Sequence, residues 1–222
     1  MIIRQFLHKQ KYEILLIALL QHLFVGIFLR NLPFYITVVW PINMLVLGVA
    51  SVGVFIEKGT LKNRIKNVLV VLVIVIPLEI PFIGMSTTYF LFLNVIYVLF
   101  FGFIFLEVIK FLIKPSYINV DIISACACGY LLLIEISTFL FQSFFYIDSN
   151  CFKGLDISSP AAIYIDLVYF STIILTSIGL GDILPNIYYT KLVTAFFGIV
   201  GQFYSVVLVG IIISKFTSKS DH

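Results

Sequence analysis

Three groups of residues in this 222-residue chain have types and spacing that could do chemistry. The first is Thr176-Ser177-Ile178-Gly179-Leu180-Gly181-Asp182. Glycines at alternate positions let a backbone adopt φ above zero without steric penalty. Such a segment can turn successive carbonyl oxygens to one side, beside the hydroxyls of Thr176 and Ser177 and the carboxylate of Asp182. The second group is Glu79 and Glu135, single carboxylates set within long apolar runs. An ionisable group in such a place is a functional hypothesis by default, and both are candidate intramembrane sensors. The third is the cysteines. Cys126 and Cys128 stand at i and i+2, which a helix points to different faces, so they read as small buried residues and not as a metal site. Cys151 lies in a polar loop as a lone thiol or an intersubunit link. No serine, histidine or acid cluster suggests catalysis, so the chain is not read as an enzyme, and no cofactor is implied. His22 reads as a packed histidine.

The elements that must position these residues are apolar. The chain is 61% hydrophobic and 11% charged, with a mean hydropathy of +1.14. A soluble domain carries about 25% charged residues, and a soluble fold could not hide this much apolar surface from water. Six runs are long enough to span a bilayer: 12–29, 34–56, 67–82, 89–113, 120–146 and 188–216. A span needs about 20 residues. Pro41 kinks the second run or marks its true start. Residues 147–187 differ from the runs around them. Ser159-Pro160 is a helix start, a serine cap with proline in the first turn. The apolar stretch that follows, to Leu175, is too short to cross and ends at the glycine-containing segment. That pattern is a re-entrant loop, tolerable in a membrane only where it lines a water-filled cavity or is buried in protein.

The net charge of +3 does not indicate a nucleic-acid partner, because the basic residues cluster in short loops. With the N-terminus in the cytoplasm, eleven of the fourteen fall inside, among them Arg4, Lys9, Lys58, Lys62, Arg64, Lys66, Lys114 and Lys219. This bias follows the positive-inside rule. It predicts a multi-pass protein of the cell membrane with both termini cytoplasmic, and a re-entrant loop that opens outward. Asp148, Asp156 and Asp182 then form an acidic outer vestibule that attracts cations.

Residues 169–185, YFSTIILTSIGLGDILP, resemble the pore signature of potassium channels, in which an aromatic-rich helix leads to T-T-V-G-Y-G-D and a proline. The run KLVTAFFGIVGQFYSVVLVGIIISK, with its Gly201-Gln202-Phe203-Tyr204 segment, is similar to the inner helix of bacterial ion-channel proteins. The resemblance covers about the last hundred residues. It implies that four subunits supply rings of backbone carbonyls that replace the water of K+. The carbonyls of Ser177, Ile178, Gly179 and Leu180 would line the path, and the Ser177 hydroxyl would add the innermost ring. Ile178 would pack outward against the pore helix, and Asp182 would sit at the outer mouth. The family's filter tyrosine is replaced by Leu180 and its second threonine by Ser177. The pore-helix tryptophans are replaced by Tyr169 and Phe170, the one tryptophan being the distant Trp40.

The expectation is an all-α membrane protein that assembles as a homotetramer within membrane lipids. A four-helix membrane domain (1–115) precedes a pore domain of outer helix, pore helix, filter and inner helix (116–222). The first four spans hold no ladder of basic residues, which excludes a conventional voltage sensor. Gly198 and Gly201 are candidate gating hinges, with Gly210 behind them. The expected function is passive, potassium-selective conduction. The alternatives are a non-selective monovalent cation channel of the same architecture and, further off, a proton-coupled secondary transporter using Glu79 and Glu135. The sequence as given stops six residues after Phe216, so gating by an attached cytoplasmic domain is not expected.

Overall fold

The computed structural model describes residues 10–29, 31–54, 60–78, 86–113 and 120–217. Seven helices and one small sheet organise them. Helix α1 is Lys11–Phe24, continued by a tighter turn, Val25–Phe28. Helix α2 is Leu32–Val52, α3 Thr60–Leu78, α4 Thr87–Ile113 and α5 Val120–Ile147. Helix α6 is Pro160–Leu175 and α7 is Tyr188–Thr217. The two-residue strands β1 (Phe152–Lys153) and β2 (Leu184–Pro185) pair antiparallel between α5 and α7.

The chain is an all-α membrane protein. Among the described residues, five helices are long and apolar enough to cross a bilayer: α1 with its continuation, α2, α4, α5 and the Tyr188–Leu208 part of α7. The third expected run, 67–82, is described only as far as Leu78. The third run forms a helix, but its first turns are polar and basic, and its apolar part is only Asn67–Leu78. Glu79, Ile80 and Pro81 lie outside the described residues.

Pro41 does not start the second helix. Asn31 does, its side chain accepting the Phe34 amide at 3.1 Å with Pro33 in the first turn. Pro41 has no amide to give the carbonyl four residues back, and its ring crowds that turn. The backbone answers with a wider, π-type turn over Tyr35–Val39, immediately before it. Such turns absorb a local mismatch without ending the helix.

The packing centres on α5. Helices α4 and α5 lie antiparallel, as ring pairs along their length show. Phe90 stacks on Tyr146 at 5.0 Å, and Phe101 stacks on Phe139 at 5.7 Å. Trp40 joins five helices. Its indole N–H donates to Tyr97 Oη at 3.1 Å, and its ring meets His22, Tyr97, Phe139 and Tyr164. Those partners lie on α1, α4, α5 and α6. Trp40 is therefore not distant from the short helix before the glycine segment; it sits against it edge-on, 4.4 Å from Tyr164. An aromatic ring of this size, buried and bonded through its one donor, is a strong anchor for such a junction.

Candidate functional site

Helix α6 begins as its sequence dictates. Ser159 Oγ accepts the Ala162 amide at 3.2 Å, and Pro160 fills the first turn. Its 16 residues span about 24 Å at 1.5 Å per residue, short of the roughly 30 Å hydrocarbon core.

The helix ends in a Schellman arrangement. Ser177 N–H donates to the Ile174 carbonyl at 3.0 Å, and Ile178 N–H donates to Ile173 at 2.9 Å. Gly179 N–H shares the Ile173 carbonyl at 3.2 Å. The residue that turns the chain is Ser177, at φ +59°. Positive φ then recurs at every second residue, in Gly179 at +54° and Gly181 at +81°. No heavy atom stands near a Cβ added to either glycine. Backbone conformation and not crowding is thus what makes them glycine. Sequence reasoning missed Ser177 as a third such position, because serine carries no signal for left-handed backbone.

Ile178 and Leu180, between these residues, are 61% and 66% exposed. Asp182 lies at the far end of the segment, where its Oδ2 accepts the Tyr169 hydroxyl at 2.6 Å. That bond holds the Asp182 carboxyl below the usual carboxylate range.

The outer loop clasps the segment's exit. Gly154, at φ +88°, lies so close to the Asp182 carbonyl that an added Cβ would stand 2.2 Å from it. The β1–β2 pair, the Asn186 amide on the Cys151 carbonyl at 2.8 Å and the Thr190 hydroxyl on the same carbonyl at 3.0 Å close the loop. Cys151 is fully buried beneath them as a free thiol. Burial, with Asp148 adding to it, pushes that thiol up to about 12.

Behind the segment lies α7. An added Cβ on Gly201 would come within 2.4 Å of the Leu175 carbonyl oxygen, so α7 crosses the end of α6 backbone to backbone. Gly198 has only the Ile174 side chain near it, at 3.9 Å. Three residues on from Gly201, Tyr204 enters the gap left by Gly129 on α5, and its hydroxyl donates to the Cys126 carbonyl at 2.8 Å. Gln202 Nε2 donates to Ser177 Oγ at 2.6 Å. Sequence reasoning noted the Gly-Gln-Phe-Tyr run but gave Gln202 no partner. Ser177, Gln202 and neighbouring α7 residues line an open cavity of about 550 Å³.

Glu135 is fully buried, 3.7 Å from His22 Nε2, and neither carboxyl oxygen has a hydrogen-bond partner. His22 bonds to Tyr164 instead, at 3.1 Å. Among the described residues no group of His, Cys, Asp and Glu could hold a metal ion.

Residues 130–218 match the family model for an ion channel. The matched region begins within α5 and takes in α6, the glycine segment and α7, and it supports an ion channel. No curated protein and no solved structure matches the chain.

Proposed function

We propose that the chain is one subunit of a potassium-selective channel in the cell membrane, with four copies around one pore. The observation that carries this reading is the alternation of positive φ at Ser177, Gly179 and Gly181. In an ordinary strand successive carbonyls point opposite ways. Alternating the sign of φ brings them to one face, where the carbonyls of Ser177, Ile178, Gly179 and Leu180 replace the water of K+. Helix α6 is then the pore helix of a re-entrant loop, and α7 is the inner helix.

The tetramer follows from what one chain leaves open. A single loop cannot surround an ion. Ile178, Leu180 and the α7 stripe of Leu192, Phe196, Ile199, Phe203 and Val206 are exposed, and neighbouring copies would cover the apolar side chains beside the filter. The positive-inside bias puts both termini in the cytoplasm and Asp182 at the outer mouth.

A non-selective monovalent cation channel is the second reading, and Leu180 favours it. Leucine has no hydroxyl to tie the filter to the pore helix, and the brace here is the Tyr169–Asp182 bond, two residues further along the chain. The reversal potential of the purified protein in a planar bilayer, with K+ on one side and Na+ on the other, separates the two. A value near the K+ equilibrium potential is expected. A value near zero with current present makes the pore non-selective.

A further inference from the structure

We propose that Gln202 is a specificity-determining positioning residue at the inner end of the filter, whose carboxamide holds the Ser177 hydroxyl and so weakens the innermost cation position. The inference rests on the pore reading above. The bond is 2.6 Å long and joins residues 25 apart in sequence, on α7 and at the end of α6. Both side chains line the same cavity, with Ala195, Gly198, Ile199 and Phe203. Gln202 is the one polar side chain that the described part of α7 presents there.

A serine hydroxyl has one hydrogen and two acceptor lone pairs. The Gln202 N–H occupies one lone pair, which leaves a cation the other. Ser177 is itself held in the chain. Its backbone is fixed at φ +59°, with its amide on the Ile174 carbonyl. The amide nitrogen also sets a partial positive charge beside the position where an ion would arrive. Conduction needs sites weak enough to leave as well as strong enough to occupy. Gln202 places the weak site at the cavity side of the filter.

Barium, a divalent ion close to potassium in size, reads this site when applied from the cavity side of single channels in planar bilayers. Four proteins are compared: wild type, Gln202→Leu, Ser177→Gly and the double variant. Glycine suits the positive φ and removes the hydroxyl together with its Cβ. Gln202→Leu is expected to tighten barium block at least about fivefold, the worth of one neutral hydrogen bond. Ser177→Gly is expected to weaken block, and Gln202→Leu to add nothing in that background. If Gln202→Leu does not assemble, Gln202→Asn, whose shorter amide falls short of Ser177, is expected to tighten block in its place. Block of the Gln202 variant equal to wild type, or an undiminished Gln202 effect without the Ser177 hydroxyl, overturns the inference and leaves the channel standing. Absence of cation current in the wild type overturns the channel reading and the inference with it.

Discussion

The Tyr164 hydroxyl and the His22 imidazole stand 3.1 Å apart, both buried, and they join α1 to α6, the helix before the glycine segment. His22 Nδ1 has no hydrogen-bond partner, so Tyr164 is the imidazole's one hydrogen-bonding tie. Tyr164→Phe removes it and leaves both ring nitrogens buried without a partner. The expected cost is about 1–3 kcal/mol, read as a lower melting temperature of the detergent-solubilised protein. An unchanged melting temperature would mean that His22 contributes nothing to holding α1 against α6.

Glu135 faces the same imidazole without bonding to it. A buried polar group that makes no hydrogen bond destabilises the fold, and an apolar replacement of similar shape is often neutral or stabilising. Glu135→Leu is therefore expected to raise the melting temperature. A rise would mark the carboxyl as kept for function and not for folding, in line with the proposed sensor role. A fall would mean that the carboxyl anchors α5.

Much of this arrangement was legible in the sequence, because lipid imposes strict rules on a backbone. Apolar length located all five of the described helices that can span, and Ser159-Pro160 marked the start of α6. The glycine pair marked where helix gives way to a segment of alternating positive φ. Three features were not legible, each for a physical reason. The positive φ of Ser177 is imposed by the helix end and by bonds to Ile173 and Ile174, not by its side chain. Trp40 reaches α6 through tertiary packing that no spacing reports. The bond from Gln202 to Ser177 depends on how closely α7 crosses α6, and that is set by Gly201.

Gly201 and Gly198 separate a packing role from a hinge. An alanine methyl at 201 would strike the Leu175 backbone, whereas one at 198 meets only a side chain at ordinary distance. Gly201→Ala is expected to lose about 1–3 kcal/mol through overpacking and to reduce recovery of assembled protein on gel filtration. Gly198→Ala is expected to assemble normally, so a change in its open probability would report hinge motion at 198. Normal assembly of Gly201→Ala would show that α7 can shift away from α6 at little cost.

Cys151 sits under the outer loop, and its thiol is pushed up to about 12 by burial. The thiolate is the reactive form. The folded protein is therefore expected to resist maleimide at Cys151, label only on unfolding, and run as a single chain on non-reducing gels. Rapid labelling, or a reducible dimer lost in Cys151→Ser, would show the loop open to solvent or to a neighbouring subunit.

The Tyr169–Asp182 bond predicts a pH dependence with a definite sign. The Tyr169 hydroxyl stabilises the ionised carboxylate and lowers the Asp182 pKa. A lowered acid keeps its charge, and the bond that needs it, above its ordinary pKa and loses both as pH falls through the lowered value. Tyr169→Phe returns Asp182 toward the ordinary aspartate value of about 3.9, so protonation on acidification begins at a higher pH. Asp182 is exposed at the end of the glycine segment, and at a pore mouth its charge would raise the local cation concentration. Conductance at low ionic strength, titrated with acid on the side Asp182 faces, is expected to fall at a higher pH in Tyr169→Phe than in wild type. At neutral pH Asp182 is charged in both, and its contribution to conductance should match. Equal midpoints would mean that the conductance does not sense the Asp182 charge, and the outer-mouth placement of this carboxylate would fail.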